Sequence, residues 1–184
     1  MENIYRNHYC GEITKENVGQ EIKIAGWINS IRNLGSLAFL TIRDETGIVQ
    51  VISEDIEKIK NLTRESTVTI TGTVALREKD INPNMKTGEI EILLKEITIL
   101  GKCANILPFE INRSKEASEE TRLKYRYLDL RNPLVHDKIL FRTKVIDEIR
   151  SIMKKMNFTE ITTPIITASS PEGARDFVIP SRNY

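Results

Sequence analysis

Between residues 21 and 100 apolar and polar positions mostly alternate, with the period of two that places successive side chains on opposite faces of a strand. Ile22, Ile24, Gly26 and Ile28 alternate with Lys23, Ala25, Trp27 and Asn29, which predicts a first strand. The polar stretch 32–36 is a turn and leads to a second strand over 37–43. Asp44-Glu45-Thr46-Gly47 is a hairpin signal, with Gly47 free to take positive φ, and a third strand follows over 48–53. The spacing then changes. Ile56, Ile59 and Leu62 fall on one side of a helix predicted over 54–64. Val68, Ile70, Gly72, Val74 and Leu76 restore alternation in a fourth strand, and a polar loop with Pro83 separates it from a fifth over 89–100.

Three strands, a helix and two further strands within about 80 residues is the order of an OB-fold barrel, a closed all-β sheet whose second and third strands, with the 1–2 and 4–5 loops, form a face for oligonucleotides. Residues 101–118 lack periodicity and read as a hinge. A short charged helix is predicted over 119–130. Asn132-Pro133 starts a long amphipathic helix to about Met156, because a first-turn proline loses no hydrogen bond. Val135, Ile139, Val145, Ile149, Ile152 and Met156 lie on or near one stripe of it. An apolar strand over 158–167, interrupted by Pro164, comes next. The organisation expected is a barrel domain at 1–103, a hinge at 104–132 and an incomplete α+β unit at 133–184.

Strand parity picks out the candidate site. Ala38, Leu40 and Ile42 take the inward set of the second strand, so Phe39 shares the outer face with Thr41 and Arg43. Val49 and Val51 leave Gln50 outside, and Ile90 and Ile92 leave Glu89 and Glu91 outside. A ring beside amide, guanidinium and carboxylate groups suits unpaired bases, which stack on the ring and are told apart by their edges. The bland reading is that Phe39 packs under a neighbouring loop, and the parity alone does not separate the two. Trp27 is expected to pack at a barrel end. Arg32 in the 1–2 loop and Arg77, Lys79, Asp80 and Asn82 in the 4–5 loop read by default as solvated. Arg122, Lys124, Arg126 and Arg131 either face phosphate or form a solvated helix face.

Composition narrows the partners. Net charge is +1 and pI about 7.7, without the basic excess of proteins that hold nucleic acid by charge alone. Any such contact therefore leans on stacking and base edges. Cys10 and Cys103 match no metal-ligand spacing and read as reduced thiols, and no apolar run approaches a membrane span or the core of a signal peptide, so a cytoplasmic protein is expected.

Several stretches together resemble the bacterial-type aspartyl-tRNA synthetases, members of class II. These are Gly26-Trp27-Ile28-Asn29 with Arg32-Asn33-Leu34-Gly35; Ile42-Arg43-Asp44 with Gly47-Ile48-Val49-Gln50-Val51; Thr87-Gly88-Glu89-Ile90-Glu91; residues 122–131; and residues 158–164 with Ser170-Pro171-Glu172-Gly173-Ala174-Arg175-Asp176-Phe177. Asn33 departs from the family's usual aspartate. The resemblance implies that Phe39 stacks on an anticodon base, that Arg32, Gln50 and Glu91 contact base edges and that Asn82 assists. It places Pro164 in motif 1, the homodimer interface, and Glu172 in a mobile loop that binds the ammonium group of aspartate. The family's reaction activates aspartate with ATP and Mg2+ and passes the acyl group to tRNA(Asp). The arginines of motifs 2 and 3 that hold ATP are not among the 184 residues, so the chain is expected to be catalytically silent by itself. A free-standing OB-fold nucleic-acid-binding or regulatory protein derived from a synthetase is the alternative.

Overall fold

The computed structural model describes residues 3–77, 81–104, 106–166 and 179–180. The chain divides into two compact units, 1–107 and 108–184.

The first unit is a closed five-stranded barrel of β1 (Glu21–Leu34), β2 (Leu37–Arg43), β3 (Ile48–Ser53), β4 (Thr67–Leu76) and β5 (Ile90–Gly101), joined in the order β1-β2-β3-β5-β4. β3 and β5 run parallel and the other neighbours antiparallel. Closure leaves no free edge, so each strand's backbone groups find partners on both sides. Alternation fixes which face turns in. Ile22, Ile24, Ile28, Leu40, Ile42, Val49, Val51, Val68, Ile70, Ile90 and Ile92 are all at most 1% exposed and fill the interior. β4 must bend to close the ring, and its pairing with β5 shifts register at Thr71/Gly72. A Cβ on Gly72 would lie 2.4 Å from the Leu93 carbonyl oxygen and 2.5 Å from the Ile92 Cγ2, so only glycine lets the strands approach here.

Residues 54–64 correct the sequence reading. They form successive turns in place of a helix, with Ile59 N–H donating to Ile56 O and Leu62 N–H to Ile59 O. Ile59 is nevertheless buried in the core, and Ile56 and Leu62 pack against it. Three-residue turns repeat an apolar position as often as a helix face does, so the same spacing serves both.

The second unit holds α1 (Glu119–Lys124), α2 (Arg126–Asp129) and α3 (Pro133–Lys155). The single helix expected over 119–130 breaks at Tyr125, whose φ/ψ of −110/43 lies outside the helical well. Asn132 caps α3, its side chain accepting from the Leu134 N–H with Pro133 in the first turn. Asp129 is fully buried and accepts from the Ser114 hydroxyl and from Arg122, and also pairs with Arg126. Burial pushes the Asp129 carboxyl up, but the bonds from Arg122 and Ser114 outweigh it and hold the group below the ordinary carboxylate range. Arg122 and Arg126 are thus turned onto Asp129, not spread on a free basic face. No strand forms over 158–166; every one of these residues is exposed. An isolated extended segment has no ladder to pair with, and among the described residues none neighbours it. Glu172 lies outside the described residues.

Candidate nucleic-acid interface

The outer face of β2, β3 and β5, closed off by the end of β1 and the 4–5 loop, carries a groove of about 920 Å³. The alternation that buries Leu40, Val51 and Ile92 turns Phe39, Gln50 and Glu91 the other way, all three half-buried. Phe39 stands opposite Arg32 across the β1–β2 ladder, and Thr41 stands opposite Gln50 across β2–β3. Parallel pairing of Val51 with Ile92 brings β5 beside β3. The Gln50 Nε2 consequently donates to the Glu91 Oε2 at 3.1 Å. Arg32, expected in the 1–2 loop, lies instead in β1, whose pairing with β2 runs on to Leu34, and it is exposed; Asn82 reaches the groove from the 4–5 loop.

That loop is braced from within. The Asn82 N–H donates to Gly88 O at 3.2 Å, and a Cβ on Gly88 would sit 1.9 Å from the Asn82 carbonyl oxygen. The Thr87 hydroxyl donates to Ile48 O at 2.6 Å and ties the loop's end to β3. All five groove residues expected from the sequence, Arg32, Phe39, Gln50, Asn82 and Glu91, therefore line one cavity. Leu76, Ile81 and Leu93 add exposed apolar surface to its walls. The mix is a flat ring, apolar flanks and a few convergent polar groups, which suits a planar base with hydrogen-bonding edges.

Two arginines depart from expectation. Arg43 shares the strand parity of Phe39 but is 8% exposed, its Nη2 donating to both Glu65 carboxylate oxygens (2.9 and 3.0 Å) and its Nη1 to the Asn29 Oδ1. Its guanidinium lies 5.9 Å from the Trp27 ring centroid. Arg77, expected to be a solvated loop residue, is instead buried, donating from Nε to Ile90 O at 3.0 Å. Burial lowers its pKa and outweighs the charge of Glu91, which raises it. A long polar side chain directly after an alternating strand was the only hint in the sequence. Among the described residues no cluster of three His, Cys, Asp or Glu could hold a metal ion. No helix among them is long and apolar enough to cross a membrane.

Residues 22–100 match the family model of OB-fold nucleic acid binding domains of the tRNA anticodon type, and residues 118–184 match class II tRNA synthetases (D, K and N). Successive parts of the chain thus match an OB-fold nucleic acid binding domain and class II tRNA synthetases. Its curated relatives are aspartate–tRNA ligases. It is 47% identical to the aspartate–tRNA ligase of Streptomyces coelicolor over 97% of this chain and 31% of the relative. It is 46% identical to the aspartate–tRNA(Asp/Asn) ligase of Rickettsia akari over 98% of this chain and 31% of the relative. The chain therefore spans about a third of the length of the relatives it matches. Among solved structures, asparaginyl-tRNA synthetase from Pyrococcus horikoshii aligns with TM-score 0.76 and 29% identity, over 93% of this chain and 39% of that one. A putative aspartyl-tRNA synthetase from Leishmania major shares the fold with TM-score 0.78 and 23% identity, over 89% of this chain and 36% of that one.

Proposed function

We propose that the groove reads the anticodon of tRNA(Asp), and that the chain is the anticodon-reading part of an aspartate–tRNA ligase. The observation that carries this is the convergence of Phe39, Arg32, Gln50, Asn82 and Glu91 on one cavity of a barrel whose relatives are such ligases. Phe39 supplies the stacking surface, Gln50 and Glu91 face the base edge, Arg32 approaches from the end of β1 and Asn82 from the 4–5 loop.

On this reading residues 1–103 bind the anticodon, 104–132 form the hinge and 133–184 open the catalytic domain. In the whole enzyme the aspartate carboxylate attacks the α-phosphorus of ATP, releases pyrophosphate and gives aspartyl-adenylate; a ribose hydroxyl of the tRNA's terminal adenosine then takes the acyl group and AMP leaves. Glu172 holds the ammonium group of aspartate, and Pro164 lies in the homodimer interface. The exposed Leu140, Phe141 and Ile149 of α3 support an association role for that segment. ATP and Mg2+ belong to the whole enzyme. The enzyme works in the cytoplasm.

The test is a fluorescence titration of the aspartate-tRNA anticodon stem-loop. Phe39→Ala is expected to weaken binding by about 1–3 kcal/mol, the loss of one base-stacking ring. Unchanged affinity would remove Phe39 from the interface.

A further inference from the structure

At the start of β1 the even positions turn inward: Ile22, Ile24 and Ile28 are at most 1% exposed. Unbroken alternation would carry Ser30 and Arg32 into the core and set Arg32 opposite Ala38, which is fully buried. The pairing with β2 shifts instead. Ile28 stands opposite Ile42, but Ser30 stands opposite the very next residue, Thr41. Asn29 is thus the extra residue of a β-bulge, and past it the two faces exchange. Ile31 packs against the core opposite Leu40, while Ser30 and Arg32 line the groove.

The bulge is clamped from outside the ladder. The Asn29 Oδ1 accepts from the Arg43 Nη1 at 3.1 Å, its Nδ2 donates to the Thr41 Oγ1 at 3.2 Å, and its carbonyl oxygen accepts from the Arg64 Nε at 3.3 Å. Arg43 is held in turn by Glu65, and the two side chains are only 10% and 2% exposed. Glu65 has a φ of 64°, in the left-handed region that a Cβ disfavours, and its N–H donates to Ile28 O at 2.7 Å. The Ile28 N–H donates to Ser66 O at 3.0 Å, so the same turn grips the last residue before the bulge on both sides. Well-packed apolar side chains stabilise a core about as well as a buried ion pair does, and the strained backbone adds to the cost. What the pair supplies and apolar packing does not is a set of directional bonds that allow one register.

We propose that Asn29, Arg43 and Glu65 are positioning residues of the RNA site: they hold the bulge, and the bulge turns Ser30 and Arg32 onto the groove. The inference rests on the anticodon reading above and names the device that builds the β1 wall of that site. Polar Ser30 and Arg32 do not enter the core, so without the clamp the strand does not settle into unbroken alternation. It loses a single register beyond Ile28, and Arg32 is no longer fixed opposite Phe39.

The experiment uses the full chain and the aspartate-tRNA anticodon stem-loop, with cross-strand proton contacts followed by NMR. Asn29→Ala is expected to weaken binding by about tenfold, on the scale of one good base contact, and to erase the contacts between residues 32 and 39. In an Arg32→Ala background the same change is expected to alter affinity by no more than about threefold, because the side chain it positions is gone. Asn29→Asp, which still accepts from Arg43 and from the Thr41 hydroxyl, keeps the 32–39 contacts. Should Asn29→Ala not fold, the double variant Arg43→Met/Glu65→Gln takes its place, since it removes the pair without stranding a buried charge. A bulge that serves barrel closure alone lowers the melting midpoint and leaves affinity per folded chain unchanged, which overturns the proposal. So do 32–39 contacts that survive the loss of the clamp, a loss of affinity that adds in full to that of Arg32→Ala, or an Arg32→Ala chain that binds like wild type. A wild-type chain that does not bind the loop overturns the anticodon reading itself, while the 32–39 contacts still decide whether the clamp sets the register.

Discussion

The Asp44 carboxylate accepts from the Cys10 N–H at 2.7 Å, from the Thr46 N–H and hydroxyl at 2.8 and 2.7 Å, and from the Gly47 N–H at 3.2 Å. One side chain thus closes the β2–β3 hairpin and pins the segment before β1 onto it. Burial acts to raise its pKa, but these bonds win and hold it below the ordinary carboxylate range. Because the folded value is the lower one, the stabilisation is complete above the unfolded value of about 4 and is lost as pH falls below it. Asp44→Ala is expected to lower the unfolding free energy by on the order of 3 kcal/mol, since it strands the buried Cys10 N–H. Urea melts at pH 7 and pH 3 check both points, and the gap between wild type and variant should narrow at the lower pH. An equal gap at both values would show that the carboxylate does not carry the hairpin.

At the scale of the element, the close approach of β4 to β5 sets how the barrel closes. Gly72→Ala puts a methyl against the Leu93 carbonyl and the Ile92 side chain, and is expected to cost about 1–3 kcal/mol in a urea melt, as overpacking does. A midpoint unchanged from wild type would show that the strands slide apart freely. The strands themselves were legible because alternation is a direct consequence of a sheet with one buried face. The outward parity of Phe39, Gln50 and Glu91 was legible for the same reason. The turns at 54–64 were not, because Ile56, Ile59 and Leu62 repeat at three residues in either structure. Nor was the break at Tyr125 or the burial of Arg43 and Arg77. A long polar side chain is drawn inward by partners distant in sequence, Glu65 for Arg43 and the Ile90 carbonyl for Arg77, and parity carries no information about those.

At the scale of the whole molecule, the barrel encloses its own core and the groove is built from residues 30–93, all within the first unit. A piece comprising residues 1–107 is therefore expected to fold by itself, with a cooperative melt, and to bind the anticodon stem-loop within about threefold of the full chain, as interface backbones of preformed sites move little on binding. The most direct measurement of the central claim is an NMR titration of that piece with the stem-loop, following backbone amides and side-chain amide groups. The account predicts that the largest shifts cluster at Phe39, Gln50, Asn82 and Glu91, with the Gln50 side-chain amide among them. Shifts confined to another face of the barrel, or none at saturating RNA, would contradict it.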